Sequence, residues 1–248
     1  MQPIKLDPEV KRGNWATGFG MEIFYPGAAL GAADSGVGAI GRVDRARITP
    51  GHVIGMHPHK DDEILTYVRA GRMRHLDTVG NDVEVDDTHL MMMNAGSWFQ
   101  HEEHMLPGDH IEALQIFLRP QAPDLEPRVQ FHDFGQARSE GKWRLLGAPT
   151  GAPLEVRAQA WVRDAHLSAS EGLPLPAPDV PGLVHLLFVF NGVARVGDLT
   201  VQAGEGVYIS EGETRVEALA DADLVLLSTD PAAEVFDGGM FSGNVLRR

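Results

Sequence analysis

The segment Gly51-His-Val-Ile-Gly-Met-His57-Pro-His59-Lys-Asp-Asp-Glu63 decides how this chain is read, together with Gln100-His101-Glu102-Glu103-His104 some forty residues later. On an extended strand, residues i and i+2 share a face, so His57 and His59 direct both imidazoles to one side. The same rule pairs His101 with Glu103. If the two strands lie near each other, three imidazoles and one carboxylate converge, a donor set suited to a divalent first-row metal. Calcium would demand more oxygens. A lone His-x-His among eleven histidines carries little weight. Two such same-face pairs, the first preceded by Gly51 and followed by Glu63, are hard to obtain by accident.

Around these segments the chain reads as mostly β. Its 28 glycines and 16 prolines separate short runs of Val, Ile, Leu and Phe, the pattern of many strands joined by tight turns. Strands are expected over Val43 to Ile48, Ile64 to Val68, Arg72 to Asp77, Asp82 to Val85, His89 to Asn94 and Glu112 to Leu118, spaced as in a sandwich or barrel. Met91, Met92 and Met93 would alternate faces and pack in the core. After Arg119-Pro120 the prolines at 123, 127, 149 and 153 and the Pro-rich Leu173 to Pro181 mark a connecting region. A second β block begins at Leu183, where Asn191-Gly192 predicts a tight hairpin turn.

The two blocks resemble each other. Ile64-Leu-Thr-Tyr-Val-Arg-Ala-Gly71 and His185-Leu-Leu-Phe-Val-Phe-Asn-Gly192 share an apolar pattern and a terminal glycine, which points to an internal duplication. In the second copy Leu187 stands where a partner of His185 would be, and Ser210 to Thr214 offers no His-x-Glu, so one metal site is expected and not two.

Composition removes several function classes. Without cysteine there are no disulfides, thiolate metal sites, iron–sulfur clusters or cysteine nucleophiles. The balance of 21 Lys and Arg against 35 Asp and Glu, formal net charge −14, opposes phosphate contacts and hence direct nucleic-acid binding. No apolar run approaches the roughly 20 residues of a membrane span. Met1 to Val10 does not read as a secretory signal, and a cytoplasmic location is the expectation.

Gly51, His57, His59, Glu63 and Gly71 resemble the first motif of the cupin superfamily. Within it, His57-Pro58-His59, Glu63, Thr66-Tyr67-Val68, Gly71, Ala95-Gly96 and His101-Glu102-Glu103 resemble the pirin family. The C-terminal Gly239-Met-Phe-Ser-Gly-Asn244 resembles that family's closing strand. The resemblance implies an all-β protein of two cupin domains, jelly-roll β-barrels in tandem. Residues 1–120 would form the metal-binding cupin and 183–248 a degenerate one, with 121–182 connecting them and contributing strands. It also assigns the metal to His57, His59, His101 and Glu103, whereas the general cupin pattern would use Glu63; Glu63 then becomes a partner that orients a histidine, and either carboxylate a candidate base. Iron(II) is the implied ion, with manganese, nickel, copper and zinc as alternatives. Some pirins are quercetin 2,3-dioxygenases, implying a flavonol-like small aromatic substrate. Others are described as metal-dependent partners of transcription factors, implying a regulatory module with a protein partner. The chain departs from the family at Lys60-Asp61-Asp62 and at Gly96-Ser-Trp-Phe-Gln-His101, where Trp98 and Phe99 are expected to narrow the mouth of the site.

Overall fold

The computed structural model describes residues 2–177, 180–210 and 215–247. Residues 178 and 179 of the Pro-rich segment, and 211–214 of the stretch read as lacking second-site ligands, lie outside the described residues. The fold is that of a two-cupin protein, almost entirely strands, and each predicted strand of the first block is present: Ile40–Ile48, Glu63–Ala70, Met73–Asp77, Asp82–Val85, His89–Asn94 and Ile111–Leu118. The sheets pack as sandwiches, so the expectation of closed barrels gives way to a seven-stranded sheet facing a four-stranded one in the first half, and a nine-stranded sheet in the second.

Strand alternation explains why the seven-stranded sheet sits in the middle of the molecule. On Glu63–Ala70, Ile64 and Val68 point toward the four-stranded sheet. Leu65 and Tyr67 point toward the nine-stranded one, meeting Leu186, Phe188 and Leu227. On Ile111–Leu118 the split repeats, with Ala113 and Phe117 on one side and Leu114 and Ile116 on the other. Both faces are therefore apolar, as a doubly covered sheet requires. The three methionines obey the same rule: Met91 and Met93 fill one core, Met92 the other.

The segment between the blocks serves both halves. Arg128–Asp133 pairs with His89–Asn94 in the seven-stranded sheet, while Ala160–Leu167 pairs with Arg215–Thr229 in the nine-stranded one. Ile4–Leu6, from the start of the chain, pairs with Glu205–Ile209 in the second half.

Two local expectations are corrected. Asn191-Gly192 is not a hairpin turn; Val184–Val196 is one long strand running through it, and the turn falls after Val196, which pairs with Leu199. The pairing with Arg215–Thr229 shifts register around Asn191 and Val193, and Gly192 has φ 81° with the Asp221 carbonyl oxygen where a Cβ would stand. The positive φ is used for a bulge that bends a continuous strand. Gly239 to Asn244 is not a strand either. It forms turns held by Asp62, whose carboxylate accepts from the backbone N–H groups of Phe241 and Ser242 and from the Ser242 hydroxyl at 2.7 Å. The Arg119 guanidinium, buried, donates to the Ser242 carbonyl and to Asp34 and fixes the same segment from the other side.

Candidate metal centre

The histidines converge on the four-stranded sheet. Its order places Phe99–Met105 between Val53–His59 and Met73–Asp77, and the register sets His101 opposite both His57 and Asp77. Between His101 and Glu103 the pairing slips, with His101 facing His57 but Glu103 facing Ile54. The extra residue is a bulge at Gly55-Met56. It turns Ile54 and His57, three apart in sequence, toward the same interior, and the His57 ring bonds the Gly55 carbonyl through Nδ1 at 2.9 Å.

His57, His59 and His101 each present a ring nitrogen, all within 4.8 Å of one another. The His59 and His101 Nε2 atoms face each other at 3.1 Å. Two ligands each about 2.1 Å from one ion, at angles between a right angle and a tetrahedral one, stand about 3.0–3.4 Å apart, so this pair has the spacing of neighbouring ligands. His59 Nδ1 is buried with no hydrogen-bond partner among the described residues, Asp62 Oδ2 standing 3.7 Å away. The donor chemistry, three imidazoles in a largely buried cluster, fits a divalent first-row ion.

Two of these rings are kept neutral by their surroundings. Burial pushes His57 and His101 below the ordinary histidine range, and at His101 the neighbouring His59 and His57 add to the effect. A neutral imidazole is the form that ligates. Glu103 stands outside the trio, with Oε1 3.9 Å from His101 Nδ1 and accepting from Gln115 Nε2 at 3.3 Å. Burial raises its pKa to about 7. Beside it lies an apolar cavity of about 30 Å³ between Ile54, Met73 and Ile111, room for roughly one water.

Glu63 is not brought to the cluster. Facing the second half of the molecule, it is fully buried, receives Arg157 Nε at 2.8 Å and the Arg157 backbone N–H at 3.0 Å, and accepts from the Asn94 amide. Its neighbour Ile64 takes the side of the sheet that looks toward the histidines. Glu63 therefore orients no ring. Phe99 does not narrow a mouth: it is buried and stacks on His101, with ring centroids 5.6 Å apart. Trp98 is 52% exposed. His104 is partly exposed and pairs with Glu102, as its strand position predicts. In the second half, His185 bonds the Ser228 hydroxyl through Nδ1 at 2.8 Å.

Sequence reasoning missed three neighbours. Phe241, from the C-terminal turns, lies with its ring 5.0 Å from that of His59. Gln115 reaches Glu103 from the adjoining sheet. His75, inside the strand expected over Arg72 to Asp77, is fully buried with Nδ1 3.2 Å from His101 Nδ1, and its Nε2 donates to Asp77 Oδ2 at 2.8 Å. The spacing His75-x-Asp77 was the available signal, since it is the same i, i+2 pairing that joins His57 to His59.

Residues 26–118 match the family model described as Pirin. A pirin-like protein of Caulobacter vibrioides is 31% identical over 185 residues, covering 73% of this chain and 78% of that protein. A quercetin 2,3-dioxygenase of Escherichia coli K12 is 34% identical over 100 residues, 40% of this chain and 42% of that enzyme. Among solved structures, YhhW from Escherichia coli superposes with TM-score 0.78 at 21% identity, covering 93% of this chain and 99% of the other. A second structure of YhhW, in complex with nickel(II), superposes with TM-score 0.77. Among the described residues no helix is long and apolar enough to cross a membrane.

Proposed function

This chain belongs to the pirin family, and from that premise we propose that it holds one divalent metal on His57, His59, His101 and Glu103 and acts as a quercetin 2,3-dioxygenase-type oxidoreductase on a flavonol-like aromatic substrate. The observation that carries the reading is the convergence of three imidazoles from two paired strands, two of them in ligand spacing at 3.1 Å. Residues 1–120 then act as the metal-binding cupin and 183–248 as the degenerate one, completed by strands from 121–182.

A bound divalent ion would supply Lewis acidity that lowers the pKa of an enolic hydroxyl, and iron(II) is the first choice. The protein supplies access, polarity and proton control. His57 is only half-buried, whereas His59, His101 and Glu103 are buried, so a substrate approaches from the His57 side, past the exposed Met56. The cavity beside Glu103 is far too small for a flavonol and admits no alternative approach without rearrangement. Phe99, Phe117 and Phe241 close the inner side and exclude water from it. Glu103, with a pKa near 7, is placed either to ligate as the anion or to take a proton at neutral pH, and Gln115 holds the carboxyl in position.

The test is oxygen uptake and carbon monoxide release with quercetin, using protein purified anaerobically and loaded with iron(II). Uptake by the wild type that is lost in His57→Ala is expected. Stoichiometric metal without uptake on any flavonol would overturn the enzymatic reading.

A further inference from the structure

Behind the cluster runs a hydrogen-bonded line that the ligand set does not include. The Asp77 carboxylate is fully buried, yet four donors meet it: the backbone N–H groups of Val79 and Asn81 at Oδ1, and the Asn81 amide and His75 Nε2 at Oδ2. Burial alone would raise its pKa, but the donors from Asn81 and His75 outweigh burial and hold it below the ordinary aspartate range. An ionised carboxylate can only accept, so His75 Nε2 must carry a proton. In a neutral ring that leaves His75 Nδ1 as an acceptor. The atom it faces, His101 Nδ1 at 3.2 Å, must then be the donor. His101 Nε2 is left bare, and it is the atom that looks at His59.

From this we infer that Asp77, acting through His75, is a positioning pair that fixes His101 as the Nδ1–H tautomer and keeps its Nε2 lone pair available to a metal. The inference rests on the reading of His101 as a ligand, but its first consequence, the tautomer, is a property of the metal-free protein. Phe99 and Phe131 flank the His75 ring at 6.2 and 5.8 Å, closing it off from competing partners. Such outer partners orient ligating imidazoles, and their loss costs about 10- to 100-fold in metal affinity.

Asp77→Asn separates this role from a merely structural one. The backbone N–H groups of Val79 and Asn81 require an oxygen at the Oδ1 position, so the amide nitrogen takes the Oδ2 position, where it donates to His75 and to the Asn81 amide oxygen once that amide flips. That reverses the line: His75 donates from Nδ1, His101 accepts there, and its proton moves to Nε2. The experiment is long-range proton–nitrogen correlation on metal-free protein labelled at the histidine ring nitrogens, with nickel(II) titration of wild type, Asp77→Asn and His101→Ala. Expected are Nδ1–H at His101 and Nε2–H at His75 in the wild type, both reversed in Asp77→Asn, with nickel affinity down about 10- to 100-fold. An Nε2–H tautomer at His101 in the wild type would overturn the inference without any variant. So would unchanged tautomers and nickel affinity in Asp77→Asn while His101→Ala loses nickel, a result that leaves the ligand reading standing. Wild-type tautomers as stated, with no nickel bound, would support the hydrogen-bonded line and count against His101 as a ligand.

Discussion

His59 and His101 come from strands forty-two residues apart, yet their Nε2 atoms meet at 3.1 Å in a buried pocket. The contact is a hydrogen bond only when one of the two nitrogens carries a proton and the other a lone pair. His59 Nδ1 has no hydrogen-bond partner among the described residues, which leaves polar capacity unspent beside an apolar wall of phenylalanines. Buried polar groups without partners are costly, and the proposed cation would take the lone pairs that the rings turn toward one another.

Glu103 makes the metal-free protein sensitive to pH. Its folded pKa is raised from 4.5 to about 7 by burial, so between those values the folded state holds a proton that the unfolded state has released. Stability from this group is full below pH 4.5 and is lost as pH rises through 7, a loss of roughly 3 kcal/mol. Glu103→Gln removes the dependence. Urea denaturation of metal-free protein should find the variant more stable than wild type at pH 8, with the advantage gone near pH 4.5; an equal difference at both would contradict the burial of this carboxyl.

Glu63 is held by the Arg157 ion pair at 2.7 Å and is predicted to matter for stability only. Arg157→Ala strands a buried carboxylate and should cost about 3–5 kcal/mol. Thermal melting and metal analysis on the same sample check this: reduced melting temperature with unchanged metal stoichiometry is expected. Metal loss at unchanged stability would return Glu63 to the site.

Phe241 ties the end of the chain to the histidines, lying between His59 and Phe117 and beneath the Arg42 guanidinium. Phe241→Ala opens the inner wall to water. A stability loss of roughly 2 kcal/mol is expected, below the full cost of a completely buried phenylalanine. Nickel should also pass faster to a competing chelator, and an unchanged release rate would show that the ring does not guard the site.

What could be read from the sequence was what depends on strand periodicity. His57 with His59, His101 with Glu103, and the alternating Met91 to Met93 all follow from the two-residue repeat. What could not be read depends on which strand lies next to which. The i, i+2 rule marks His75 and Asp77 as plainly as it marks the proposed ligands, but only the pairing of Met73–Asp77 with Phe99–Met105 puts them behind His101. Glu63 sits close to His57 and His59 in sequence, yet its face of the seven-stranded sheet looks away from them. The bulge at Gly55-Met56 and the one at Gly192 are register shifts created by their partner strands, so neither has a sequence signal that separates it from an ordinary turn or strand.

One divalent ion is predicted to sit among these imidazoles. Metal content by inductively coupled plasma mass spectrometry, on protein purified anaerobically without chelator, tests it most directly with wild type beside His57→Ala and His101→Ala. Near-stoichiometric divalent metal in the wild type, lost from both variants, is predicted. Metal-free wild type after reconstitution with iron(II), or metal retained in both variants, would contradict the account.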